Sequence, residues 1–334
     1  MKKITLLTVI LTMLFTVSQA QREKPSTSLV VSVGTNQFMG DLGGGGKDAA
    51  HFMGVRDLDF TGTRPSWQVA YRYKFAGRKK EFMKYFSVRA NFSYAFLSGK
   101  DKRSGSLGRQ ARNLSFISNT YSMSGQLEYY FIPEKARPRY AFSSLKGSRN
   151  ISAYLFIGAG GLYYNPKARL DDGKFTALQP LGTEGQLMPN FEYTSSYPTV
   201  EGGTEFETLT TSEPYLRFAA FIALGIGMKY DINRQWAIGL EMSNRYTSSD
   251  YLDDAHDRYF NYENFNSTDL SQGFGDRHLV LSSDGVGVDA ENYNSGKTMR
   301  GNPNYNDAYI LTMVTVHYKL KSGKSRRSRP KFGS

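Results

Sequence analysis

Ser66-Trp67-Gln68-Val69-Ala70-Tyr71-Arg72-Tyr73-Lys74-Phe75 is the stretch that decides the fold. Trp67, Val69, Tyr71, Tyr73 and Phe75 fall on one face of an extended chain; Ser66, Gln68, Ala70, Arg72 and Lys74 fall on the other. Phe86–Phe96 repeats the arrangement, with Phe86, Val88, Ala90, Phe92, Tyr94 and Phe96 opposite Ser87, Arg89, Asn91, Ser93 and Ala95. Alternation of period two sustained for about ten residues marks a strand whose two faces meet different solvents. Strands of soluble domains run about 5–6 residues, whereas about ten are needed to cross a bilayer at a tilt. Phe86 to Phe96 is ten steps of ~3.3 Å, or roughly 25 Å of height after a ~40° tilt, which matches the apolar band of outer-membrane barrels.

The same pattern recurs along the chain. Tyr121, Met123, Gly125, Leu127, Tyr129 and Phe131 oppose Ser122, Ser124, Gln126 and Glu128. Phe218, Ala220, Ile222, Leu224, Ile226, Met228 and Tyr230 oppose Ala219, Ala223, Gly225, Gly227 and Lys229. After a tight turn at Asp231–Arg234, Trp236, Ile238, Leu240 and Met242 oppose Gly239, Glu241, Ser243 and Arg245. Ala308–Leu320 sets Ile310, Val314, Val316 and Tyr318 against His317 and Lys319. Ser28–Phe38 is a weaker strand, and Ile151–Tyr164 is apolar or glycine on both faces, so periodicity leaves it unoriented. The expectation is all-β: an eight-stranded antiparallel transmembrane β-barrel with long extracellular loops. Ten strands is the alternative, should Leu279-Val280-Leu281 belong to a further hairpin.

Aromatic residues gather at the two ends of the apolar stripes, as in interfacial girdles. Trp67, Tyr94, Phe96, Tyr121 and Tyr246 form one level; Tyr73, Phe75, Phe86, Tyr129, Phe131, Tyr230, Trp236 and Tyr318 form the other. Loops between strands alternate between long and short, and outer-membrane barrels keep short turns and both termini in the periplasm. Ile132–Asn150 is the exception, too long and too basic for a minimal turn.

Lys2 and Lys3 precede an apolar run to about Val17, and Ser18-Gln19-Ala20 offers small residues for a cut. This is the form of a secretory signal peptide, shorter than a membrane anchor. The expected organisation is therefore signal peptide 1–20, barrel 21–320 and basic periplasmic tail 321–334. The mature chain is expected in the cell outer membrane, surrounded by outer-membrane lipid, after cleavage following Ala20. The 334 residues carry a net charge of +12, which cleavage lowers by two. In a cytosolic protein such a charge would point to an anionic partner; outside the cytoplasm nucleic-acid binding is not expected. With no cysteine, disulfides, thiolate metal sites, a cysteine nucleophile and a lipidated N-terminal cysteine are excluded.

An eight-stranded barrel has an interior just wide enough for side chains to fill. Its inward set contains Arg72, Lys74, Arg89, Gln126, Glu128, Lys229, Glu241 and Arg245. Opposite charges in a narrow lumen should pair, so Arg72, Arg89, Glu128, Lys229, Glu241 and Arg245 are expected to form a charge network, with arginines bridging the two glutamates. The lumen then reads as plugged rather than conducting.

No catalytic, cofactor or metal constellation emerges. Asp250, Asp253, Asp254 and Asp257 cluster with His256, but they lie together on one strand extension, and a catalytic arrangement needs them facing across a cleft. Their spacing is not that of a Ca²⁺ loop, and a solvated acidic loop end is the plain reading. Gly43–Gly46 lacks the Lys and Ser/Thr of a phosphate loop; Gly158, Gly160 and Gly161 read as close backbone packing. The chain is not expected to be an enzyme. Two basic elements fall on the periplasmic side: Lys135, Arg137, Arg139, Lys146 and Arg149 in the longer turn, and Lys321, Lys324, Arg326, Arg327, Arg329 and Lys331 in the tail. Either they are solvated, or together they steer an acidic partner to that rim.

Several strings carry a resemblance. Arg112-Asn113-Leu114-Ser115-Phe116 running into Tyr121, then Gly125-Gln126-Leu127-Glu128-Tyr129-Tyr130-Phe131, resembles PorG-like outer-membrane proteins of Bacteroidetes. Gly40-Asp41-Leu42, Gly160–Ala168, Leu178-Gln179-Pro180-Leu181-Gly182-Thr183-Glu184-Gly185-Gln186 and Thr247–Asp254 are similar to the same family, in order, over about Ser28 to Leu320. The Leu178–Gln186 string is the specific one. The resemblance implies an eight-stranded barrel of the type IX protein secretion system that anchors a periplasmic ring of a PorK-like lipoprotein and a PorN-like protein to the outer membrane. It implies no catalytic residue. The loops Asn165–Ser212 and Ser248–Asp307 are long for the family, and paralogues of such barrels leave open a stand-alone surface barrel with ligand-binding external loops.

Overall fold

The computed structural model describes residues 25–43, 62–76, 81–103, 110, 112–134, 150–169, 173–187, 192–198, 204–211, 213–257 and 300–320. The proposed leader 1–20, the Gly44–Gly46 run, Leu279–Leu281 and the tail 321–334 lie outside the described residues.

Eight long strands make the barrel: β1 (Ser26–Met39), β2 (Arg64–Lys74), β3 (Phe86–Lys100), β4 (Ser115–Ile132), β5 (Ile151–Tyr163), β10 (Phe218–Asp231), β11 (Trp236–Thr247) and β12 (Ala308–Lys319). Their order is β3-β2-β1-β12-β11-β10-β5-β4, and β4 returns to pair with β3, closing the cylinder. Every pairing is antiparallel. Closure leaves no barrel strand with an unpaired edge, as a bilayer requires of any spanning sheet.

Burial is inverted relative to a soluble protein. Val33 and Met123, on the outer face, are 60% and 68% exposed, whereas Arg89 and Lys229, pointing inward, are 2% and 0% exposed. Only a hydrocarbon surround makes that distribution favourable, so the chain is an outer-membrane-type barrel. Register carries the aromatic girdle across strands: Trp67 lies opposite Tyr94, Tyr94 opposite Tyr121, Tyr121 opposite Tyr163, and Tyr163 opposite Phe218. At the other end Phe86 pairs with Tyr129, and the Trp236 and Tyr318 rings meet at 4.8 Å.

β5, which periodicity left unoriented, points Tyr154 and Phe156 inward and Leu155 and Ile157 outward. The inward glycines of β10 explain the choice. Gly225 and Gly227 lie opposite Phe156 and Tyr154, and a Cβ on either would collide with the facing ring.

Two expectations about loops need correction. β3 continues through Lys100, beyond the Phe86–Phe96 stretch read from the alternation, and β4 begins already at Ser115, ahead of Tyr121, so the loop between them is shorter than the pattern alone implies. Asn165–Ser212, read as a long loop, carries four short strands: β6 (Pro166–Arg169), β7 (Phe175–Ala177), β8 (Glu192–Pro198) and β9 (Thr204–Thr210). The reason is shared: β3 and β4 project beyond the girdle, and the projecting end of β4 offers a ladder to β6, which pairs with β7. β8 and β9 form a separate hairpin.

Folded protein in detergent is expected to migrate differently on gels before and after boiling. Gly227→Leu forces the Tyr154 ring from its seat and costs about 1–3 kcal/mol of stability, the usual range for overpacking. Gly125→Leu, whose Cβ meets nothing within 4 Å on the lipid side, serves as the tolerated control. Urea unfolding followed by tryptophan fluorescence measures both.

Candidate functional site

The lumen holds three polar layers. Nearest the short-turn mouth, which carries both ends of the barrel chain, Glu134 is the hub. A bulge near Phe131 shifts the β4 register; Phe131 and Ile132 face out, and Glu134 tucks into the mouth, 8% exposed. It bonds Lys229 Nζ and lies 3.3 Å from Lys319, 3.6 Å from Arg72 and 3.7 Å from Lys74. Asp231 shares Lys319 at 3.3 Å.

The middle layer turns on Arg89. Its guanidinium forks onto Glu241 at 2.5 and 2.8 Å, while its Nε donates to Gln126 at 2.8 Å and stands 3.2 Å from Glu128. Glu128 also accepts from Ser87 at 2.5 Å and Tyr130 at 3.0 Å, and lies 3.6 Å from Arg72. Tyr154 donates to Glu241, and the rings of Tyr130 and Tyr154 meet at 4.9 Å. Arg72, Lys74 and Lys229 approach the Tyr130 ring at 5.9, 5.8 and 5.9 Å, within cation–π range.

The third layer is Arg245, which differs from its neighbours. Among the described residues it meets no carboxylate; it donates to Ser93, Ser122, Tyr309 and Gln68 and lies over the Phe221 ring at 5.0 Å. Hydroxyls, an amide and π faces solvate this cation in place of an anion. Above it an apolar layer including Phe38, Leu97, Phe116, Leu162, Leu311 and Met313 fills the barrel.

The structure thus places Arg72, Arg89, Glu128, Lys229, Glu241 and Arg245 in the lumen, the first five joined by ion pairs. Lys135, Arg137, Arg139, Lys146, Arg149, Lys324, Arg326, Arg327, Arg329 and Lys331 lie outside the described residues. Glu134, Tyr130 and Tyr154 were missed. Even-numbered parity along β4 points Tyr130 inward; nothing in the sequence alone marks Glu134, which lies beyond the strand.

At the opposite mouth a polar cap closes the barrel. Reading Asp250, Asp253 and Asp254 as a solvated loop end was wrong: they are 4%, 0% and 0% exposed. Two guanidiniums organise the cap. Arg112 forks onto Asp101 at 2.7 and 2.9 Å and donates to the carbonyls of Asp41, at 2.6 Å, and Arg300. Arg300 reaches Glu184 at 2.7 Å and Asp254 at 3.2 Å, as well as the Asp254 carbonyl. Asp254 sits in the left-handed region, φ 68°, which Asp tolerates, and also accepts from Thr183 at 2.5 Å and Tyr215 at 2.6 Å. Asp253 accepts the amides of Leu42 and Ala255, and Asp307 that of Leu252. The acids of this cap hold backbone turns in place. The Leu178–Gln186 string and the Gly40–Leu42 and Arg112–Phe116 strings all converge here, so the specific sequence signal belongs to the cap.

Burial sets the protonation of the cap. Glu184 is pushed up to about 7 by desolvation, against the opposing pull of Arg300 and the His256 amide. Asp250 is pushed up to about 10 by burial, then by Asp41, Asp253 and Glu184, while burial holds His256 below its usual value. His256 Nδ1 and a carboxyl oxygen of Asp250 meet at 2.8 Å, and both shifts favour the uncharged forms of this pair.

Breaking the Arg89 fork by Glu241→Gln leaves a buried guanidinium underpaired and is expected to destabilise by about 3–5 kcal/mol, whereas Arg89→Met with Glu241→Met restores much of the loss. For the cap the sign follows from a raised folded-state pKa. Its contribution is complete below the unfolded Glu184 value of 4.5 and declines as pH rises through about 7. The thermal unfolding midpoint of the protein in detergent should fall as pH rises through about 7, and Glu184→Gln should flatten that dependence.

No family model matches the chain, and no curated protein matches it. Among solved structures the chain is similar to Ail, the attachment invasion locus protein of Yersinia pestis, at 10% identity and TM-score 0.33, over 89% of this chain and 100% of that one. It is similar to Neisserial surface protein A at 8% identity and TM-score 0.36, again over 89% and 100%. A major outer membrane protein of Thermus thermophilus gives 10% identity and TM-score 0.35 over the same shares. These identities carry no residue role across.

Proposed function

We propose that the chain is a non-enzymatic outer-membrane anchor that holds the periplasmic ring of a type IX secretion system, a PorK-like lipoprotein with a PorN-like protein, at its short-turn mouth. The single observation that supports an anchor over a conduit is the filled lumen: two ion-pair layers, the Arg245 layer, an apolar layer and a cap follow one another along the axis. A cylinder so filled acts through its rims. β4 and β12 end at the short-turn rim, and the sequences that follow them, Lys135 to Arg149 and Lys324 to Lys331, are basic, a composition that suits an acidic docking surface. The secretion assignment itself draws on the resemblance of the sequence strings.

A second reading, a stand-alone surface barrel, is favoured by one observation: the structured growth of the long-loop mouth, where β6–β7 and β8–β9 build hairpins beyond the girdle. Loop deletions that abolish adhesion and leave secretion intact would select it.

Clean deletion of the gene should block export of type IX cargo. Truncation after Leu320, or neutralising Arg326, Arg327 and Arg329, should slow capture of ring proteins by about tenfold at low salt and less at high salt, as steering charges do. Normal export in the deletion strain rules out the secretion role.

A further inference from the structure

We propose that the outer wall of this barrel carries a binding site for the phosphate groups of an anionic outer-leaflet lipid, built from Lys100, Lys167 and Arg169 above the aromatic girdle. The proposal requires only the barrel and is independent of the secretion role.

Register brings the three cations together. Lys100 is the last residue of β3 and lies opposite Ser115 on β4. Lys167 on β6 lies opposite Ile117, two residues further along β4, so Arg169 comes level with Ser115 on its other side. Lys100 and Arg169 therefore flank one small residue. All three share the outward parity of their strands: Lys100 follows Tyr94 and Phe96, and Ser115 and Ile117 precede Tyr121. This is the lipid-facing wall, continued upward past the bilayer.

The height suits a headgroup. Six residues separate Tyr94 from Lys100 and four separate Tyr121 from Ile117, or about 15 and 10 Å at ~3.3 Å per residue and a ~40° tilt. Girdle aromatics mark the membrane–water interface, and long basic side chains reach back toward it by several Å. Phosphorylated headgroups occupy that interval.

The charge is uncompensated among the described residues. Lys100 feels Arg64, Arg103 and Arg169 electrostatically, all of its own sign. Among the described residues no carboxylate pairs with Lys100, Lys167 or Arg169. Asp101, the acid next in sequence to Lys100, turns inward and is held by Arg112 in the cap. Phe175, 54% exposed, lies beside Arg169 at 5.7 Å and adds an apolar flank to the cationic row. Like charges gathered on a lipid-facing wall fit an anionic partner that is itself anchored in the membrane.

The test uses the mature protein folded in non-ionic detergent, with folding checked by the shift on boiling. It is titrated separately with lipopolysaccharide, with phosphatidylcholine and with inorganic phosphate, and retained lipid phosphate is measured after gel filtration. Lipopolysaccharide should be retained in a salt-sensitive manner and phosphatidylcholine should not. The triple variant Lys100→Gln, Lys167→Gln, Arg169→Gln should lose affinity on the order of a hundredfold, a factor of about five for each cation. Neutralising Lys84, on the opposite rim, should change nothing. Equal retention by the triple variant overturns the site. Inorganic phosphate competing at the same concentration as the lipid overturns the lipid assignment in favour of a free-anion site. Should the triple variant fail to fold, the single Lys100→Gln and Arg169→Gln variants carry the same comparison.

Discussion

Arg89 is the residue on which the interior of this barrel depends. Eight strands leave a lumen that side chains must fill, and below the apolar layer this lumen is lined by charged side chains. A charge there has little water, so it must find its counter-charge in a facing strand. Arg89 does so twice, binding Glu241 across the barrel and Glu128 on the adjacent strand. With those contacts made, Tyr130 and Tyr154 can place their hydroxyls on the same carboxylates and their rings against each other. The glycines of β10 that admit the Tyr154 and Phe156 rings belong to the same arrangement.

The cap solves a different problem. It collects Asp41, Asp101, Glu184, Asp250, Asp253, Asp254 and Asp307 around two buried arginines, Arg112 and Arg300. Among the described residues two guanidiniums face seven carboxylates, and burial raises the proton affinity of Glu184, Asp250, Asp253, Asp254 and Asp307. Neutral carboxyls and carboxylates alike accept backbone N–H groups, and those bonds hold turns that would otherwise expose unsatisfied amides at the barrel end.

The barrel itself was legible because a bilayer imposes period two over long strands, and Ser66–Phe75 and Phe86–Phe96 follow it closely. The lumen residues followed from parity. β5 escaped because Gly158, Gly160 and Gly161 blur its two faces, and its orientation is fixed only by glycines on β10. The cap escaped for a deeper reason. Its partners come from segments as far apart as Asp41 and Asn302, with no local periodicity to announce them. An acidic run such as Asp250–Asp254 looks solvated until the arginines that cover it are known, and Arg300 lies 46 residues beyond Asp254. Three of the strings that carry the resemblance, Gly40–Leu42, Arg112–Phe116 and Leu178–Gln186, meet in that packing.

A filled interior also changes what the outside must do. When nothing passes along the axis, every interaction this chain makes with its surroundings occurs at a rim or through the wall. The two rims differ in kind. At the short-turn mouth cations converge on one carboxylate, Glu134, the residue just before the basic sequence that begins at Lys135. At the long-loop mouth Asp101, Glu184 and Asp254 face inward, locked to Arg112 and Arg300, and the cations Lys100, Lys167 and Arg169 face outward. Separating charge in this way lets one end of the cylinder be closed by buried acids while presenting a basic wall to the membrane surface. Asp101 and Lys100, neighbours in sequence on opposite faces of one strand end, are where that separation is made.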